Sequence, residues 1–159
     1  MEKSDLERFL NTCHNNFCLI ALGATLIVSE ETHSVIGKAE VNFGRFNVKF
    51  DQILNQDRNK LAEAIYELTK VAYRALITES FETIKSYTNA TKQFEKMRHS
   101  SWYPFARAIR NAFNHDFHLD FDERERKYFP ITWKNKSKPP KEIRLDFNMQ
   151  GWSVDIVNT

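Results

Sequence analysis

Six side chains between Arg107 and His118 have the chemistry to act on a phosphodiester: Arg107, Arg110, Asn111, Asn114, His115 and His118. On a helix advancing 100° per residue, all six fall within about 140° of arc. Phe105, Ala106, Ile109, Ala112, Phe113 and Phe117 fall on the opposite side, so residues 102–118 read as one amphipathic helix. An imidazole takes or gives a proton near neutral pH. A guanidinium meets a phosphate in bidentate fashion, and a carboxamide orients a phosphate oxygen or a ring nitrogen. This set suits cleavage of RNA by its own 2′-hydroxyl, which needs positioning, charge neutralisation and proton transfer but no metal or cofactor. The bland alternative is a solvated polar face, or one bonded to a neighbouring helix.

The same residues carry a family likeness. Arg110-Asn111-Ala112-Phe113-Asn114-His115 resembles the Arg-Asn-x-x-x-His pattern of the HEPN superfamily (higher eukaryotes and prokaryotes nucleotide-binding). The resemblance covers residues 1–118, and only the motif is specific. It implies an all-helical fold with the motif on a late helix. It also implies a metal-independent endoribonuclease of a toxin–antitoxin or antiviral defence system. Two copies would face each other as a homodimer with a composite active site, under an antitoxin or nucleotidyltransferase partner. Arg110, Asn111 and His115 would be catalytic, with Arg107, Asn114 and His118 binding substrate. Family members often place a small residue, commonly Gly, after the histidine; here it is Asp116.

Asp116 also breaks the helix pattern by pointing toward the apolar side, which predicts fraying or a bend there. At the other end Ser100 or Ser101 is the expected cap, with Pro104 in the first turn.

A chain of 159 residues fits one domain, and 42% apolar residues support a core. Four Gly and four Pro argue for long regular elements. The first helix spans 4–30, with Ser4 and Glu7 as a capping box, and turns apolar nearly all round from Phe17. Residues 31–50 fit a short hairpin or an extended loop, with Phe43, Phe46 and Phe50 as anchors. A second helix covers 52–79 and a third 80–99, separated or kinked at Glu79-Ser80. Residues 120–127 form a short capping helix or a charged loop. Alternation then predicts strands around Phe129–Trp133 and Ile143–Phe147, with an edge segment over Trp152, Val154 and Ile156. The expected fold is mainly α: an up-and-down bundle of four to five helices over 1–127, with a small antiparallel β appendage over 128–159. The appendage must cover apolar surface, because a lone hairpin is marginal.

Several classes are disfavoured. A net charge of +2 makes no bulk electrostatic claim on nucleic acid. The stretch 124–141, with seven Lys or Arg against one Glu, reads as a local RNA-backbone contact or an ordinary soluble tip. Cys13 and Cys18 suit reduced thiols in a cytoplasmic protein rather than a disulfide or a metal site. The apolar run from Phe17 to Val28 is too short to span a bilayer, and no membrane partner is expected. Beside the endoribonuclease stand two other readings: a non-catalytic nucleotide- or RNA-binding module, and a protein-interaction module.

Overall fold

The computed structural model describes residues 2–51, 57–134, 139 and 141–154. The chain is mostly helical, with a small C-terminal two-strand antiparallel appendage, as expected. Its contacts divide into two compact units: His14–Tyr73, and Met1–Cys13 together with Arg74–Thr159. Helix α1 spans Lys3–Ile27, α2 Glu30–Ile36, α3 Arg58–Ala90, α4 Phe94–Arg98 and α5 Tyr103–Asn114.

The long helices depart from the expected breaks. α3 runs straight through Glu79-Ser80, because no Gly or Pro between 58 and 90 interrupts its hydrogen-bond ladder. It ends in a Schellman motif. Lys92 sits at φ 57°, with Gln93 N–H on Thr88 O at 2.7 Å and Lys92 N–H on Asn89 O at 3.1 Å. α1 begins at Lys3, one residue before the expected cap, and Glu2 N–H instead bonds the Asp5 carboxylate at 3.1 Å.

In the unit His14–Tyr73, α1 stops at Ile27 and α2 opens a new direction. His33 Nε2 lies 2.6 Å from Ile27 O. A hairpin follows, β1 (Glu40–Phe43) against β2 (Phe46–Lys49), closed by Gly44-Arg45. Gly44 has φ 59°, which a two-residue hairpin turn requires. Phe46 is exposed beside the Arg45 guanidinium and so is no anchor. The Phe17 and Tyr73 rings pack 4.8 Å apart, while Leu19, Leu22 and Leu26 on α1 are exposed.

The other unit holds the main cluster of buried apolar residues. Ala108 and Ala112 of α5 are buried against Leu119, Phe121, Ile131 and Leu145. Strands β3 (Ile131–Lys134) and β4 (Glu142–Leu145) pair antiparallel, with Ile131 opposite Leu145. Phe105 of α5 stacks on Trp133 of β3 at 5.4 Å, so the appendage covers the apolar face of the motif helix. A 3-10 turn over Glu123–Tyr128 carries a capping box between Asp122 and Glu125. The expected final edge segment pairs elsewhere than with β4. Ser153 bridges His118, Gly151 N–H bonds Leu119 O at 2.8 Å, and Val154 N–H bonds Phe117 O at 2.7 Å. Ile156 and the basic loop at 135–138 lie outside the described residues.

Candidate functional site

The site is built around the C-terminal end of α5. The helix stops at Asn114, four residues short of the expected His118. His115 is its C-cap, at φ −102° and ψ 47°, with its N–H shared between Asn111 O (2.9 Å) and Ala112 O (3.1 Å). Asp116 and Phe117 then adopt φ 53° and 63°. Two successive left-handed residues without a glycine are costly and survive only where packing holds them. Phe117 is buried against Phe113 at 4.7 Å, and Arg74 lies over its ring. Arg74 Nε also donates to Phe113 O at 2.8 Å, satisfying a helix-end carbonyl with a cation. At the other end neither serine caps the helix. Ser100 Oγ donates to Met97 O at 2.6 Å, closing α4, while Pro104 occupies the first turn as expected.

One side of α5 and the turn after it are tied to α3 by antiparallel contacts from residues four apart on α3. Arg74 meets Asp116 at 3.4 Å, Thr78 Oγ1 donates to Asn114 Oδ1 at 2.9 Å, and Arg110 pairs with Glu82. Arg110 Nη1 also donates to Asn111 Oδ1 at 3.0 Å, and its guanidinium lies over the Phe81 ring at 5.5 Å. Among the described residues its buried Nε has no hydrogen-bond partner. Burial acts to raise the Glu82 carboxyl, but the Arg110 hydrogen bond and charge, with help from Lys85, hold it below the usual carboxylate range.

The other side of α5 borders a cavity of about 210 Å³, where Arg107 and Asn111 are among the lining residues. Arg107 Nη1 lies 2.6 Å from Glu125 Oε1. Past the helix end, His115 Nε2 stands 3.4 Å from Asp120 Oδ2. Gln150 holds this carboxylate in place: its Nε2 donates to Asp120 Oδ1 at 2.9 Å, and its Oε1 accepts from Phe121 N–H at 2.6 Å. His118 lies beyond the left-handed turn, with Nδ1 2.9 Å from Asp116 O.

The six residues singled out in the sequence therefore divide. Arg110 and Asn111 bond directly, and Arg107 and Asn111 share the cavity. Asn114 turns its carboxamide to Thr78. His118 leaves the helix face altogether. Glu82, Thr78 and Arg74 were not singled out, yet their spacing of four on one helix matches the spacing of Arg110 and Asn114. Asp120 and Gln150 carry no signal of their own. Glu125 was not singled out either; the Asp122-x-x-Glu125 capping pattern is the signal that could have found it.

The arrangement offers a solvent-exposed imidazole with a carboxylate on one nitrogen. Among the described residues its Nδ1 makes no hydrogen bond within the chain. Three arginines stand nearby, each already set in direction by a carboxylate. A guanidinium has five N–H donors, so a paired arginine keeps donors for a phosphate oxygen. Among the described residues no group of three or more His, Cys, Asp or Glu is placed to hold a metal ion. No single described helix is long and apolar enough to cross a membrane. Compared with protein-family models, curated proteins and solved structures, the chain matches none.

Proposed function

We propose that the chain is a metal-independent endoribonuclease of HEPN type, acting at the C-terminal end of α5. The observation that carries this reading is the His115–Asp120 pair. A carboxylate at Nε2 favours the proton on that nitrogen and leaves the Nδ1 lone pair outward, as a general base needs. The base takes the proton of the ribose 2′-hydroxyl. The 2′-oxygen bonds to phosphorus, and the bond from phosphorus to the 5′-oxygen breaks. An imidazolium from a second copy protonates the leaving oxygen. The products are a 2′,3′-cyclic phosphate and a 5′-hydroxyl.

Arg110 offsets the charge growing on the phosphate. Its hydrogen bond to Asn111 Oδ1 leaves the Asn111 amino group as the outward donor. The exposed Leu19, Leu22 and Leu26 of α1 offer a second copy apolar surface to cover.

A second reading, RNA or nucleotide binding without turnover, draws on a different observation. Arg110 is paired with Glu82 and keeps only 27% of its side chain exposed, so a phosphate must share it with a carboxylate. Purified protein in EDTA, offered mixed RNA, separates the two. Cleavage that is lost in His115→Ala supports the nuclease. Binding without cleavage supports the second reading, and equal cleavage by His115→Ala overturns the assignment of His115.

A further inference from the structure

We propose that the cavity between α5 and the Glu123–Tyr128 turn binds a single guanine base. That the base belongs to RNA rests on the ribonuclease reading; the choice of guanine rests on the cavity alone. At about 210 Å³ it is smaller than the roughly 300–1,000 Å³ typical of sites for drug-sized ligands, and it suits one flat heterocycle.

Its apolar walls come from Phe121, Phe129 and Ile131, and the small Ala108 side chain leaves the space between them open. Tyr128, exposed at the mouth, adds an aromatic face on which a base can stack. The polar wall is the Arg107–Glu125 pair. Glu125 keeps only 17% of its side chain exposed. One of its oxygens meets Arg107 at 2.6 Å, and the other accepts Asp122 N–H at 3.3 Å. A carboxylate has about four lone-pair sites, so each oxygen retains one for a ligand.

Guanine supplies the matching edge. Its N1–H and N2–H are adjacent donors that fit the two oxygens of one carboxylate, and its O6 beside them accepts from Arg107. Adenine offers a single donating group on that edge. Uracil sets carbonyl oxygens on both sides of its one N–H, against the carboxylate. The Asn111 amino group, left outward by the Arg110 bond, is a further donor for N7 or O6. Arg98 and the exposed His99 also line the cavity and suit the nucleotide's phosphate. His99 Nδ1 is committed to Glu95 O at 2.7 Å, so Nε2 is its outward nitrogen.

The test is calorimetric titration of the full chain with GMP, AMP, CMP and UMP, with circular dichroism confirming that each variant is folded. GMP should bind more tightly than the other three by at least roughly tenfold, the discrimination that one bidentate contact supplies. Glu125→Gln should erase that preference, and Ala108→Leu should block binding by filling the cavity. Tyr128→Ala, at an exposed position, should weaken GMP without disturbing the core. Equal affinities for the four nucleotides, no binding, or GMP binding unmoved in folded Glu125→Gln and Tyr128→Ala overturns the proposal. Selective GMP binding without RNA cleavage would leave the cavity assignment standing and remove the nuclease reading. Cleavage by a protein without guanine preference would do the reverse.

Discussion

His115 Nε2 lies 3.4 Å from Asp120 Oδ2, on the oxygen that Gln150 does not hold. The C-terminal segment thus reaches the motif histidine through one carboxylate. With His115 as the proposed general base, Asp120→Asn should lower kcat for RNA cleavage by roughly 10–100-fold, part of the 10²–10⁴-fold that a positioned acid–base group supplies. KM should change little, because the carboxylate would orient the base rather than the substrate. Gln150→Ala should act in the same direction more weakly. A kcat within twofold of wild type for Asp120→Asn would show that Asp120 does not act through His115.

The Arg110–Glu82 pair makes part of the stability pH-dependent. The Glu82 carboxyl is held below its ordinary value, against the effect of burial, by Arg110 and Lys85. A carboxyl depressed on folding contributes stability that is fully present above its unfolded value, about 4.3 for Glu. That contribution is lost as pH falls through the lower, folded value. Glu82→Gln should therefore cost about 1 kcal/mol or less in urea unfolding at pH 7, the scale of a partly exposed pair. The gap from wild type should narrow progressively below about pH 4.3. A gap that stays constant down to pH 3 would show that the lost charge is not its source.

Asp116 occupies a left-handed position, φ 53°, directly after the histidine. Asp tolerates this conformation and a β-branched side chain does not. Asp116→Val should lower stability by about 1–2 kcal/mol. Asp116→Gly should stay close to wild type, because gained backbone freedom offsets the lost contact with Arg74. Thermal melts read both. Equal melting of the Val and Gly forms would show that the turn is not held as described.

The amphipathic wheel located the apolar face of α5 correctly, and Ala112 and Phe113 are buried on it. The wheel failed past Asn114 because periodicity has no term for a left-handed turn. The one local sign was Asp116 on the apolar side. Strand alternation found β3 and β4 for the same reason that it missed the partner of Ser153: a single bridge to His118 has no period. The charged residues of α3 look alike in sequence, solvated and locally paired. Only the antiparallel approach of α5 singles out Arg74, Thr78 and Glu82 from the others. The break expected at Glu79-Ser80 rested on a weak turn signal that the helical ladder overrides.

The two thiols should separate in reactivity. Cys13 is buried, and burial together with the Glu79 carboxylate pushes its thiol above the usual range. Cys18 is exposed, with its sulfur 3.7 Å from His14 Nε2. Iodoacetamide on the native protein should alkylate Cys18 first and reach Cys13 only in denaturant, read by peptide mass spectrometry. Equal native labelling of both would contradict the burial of Cys13.

Whether His115 drives cleavage through the 2′-hydroxyl, as proposed, is read from end-group analysis of RNA products made in EDTA. The wild-type protein should leave 2′,3′-cyclic phosphate and 5′-hydroxyl ends. His115→Ala should yield no such products, and neither should a substrate with 2′-deoxyribose at the scissile position. Products bearing 5′-phosphates, or a deoxy substrate cut at the wild-type rate, would rule this mechanism out.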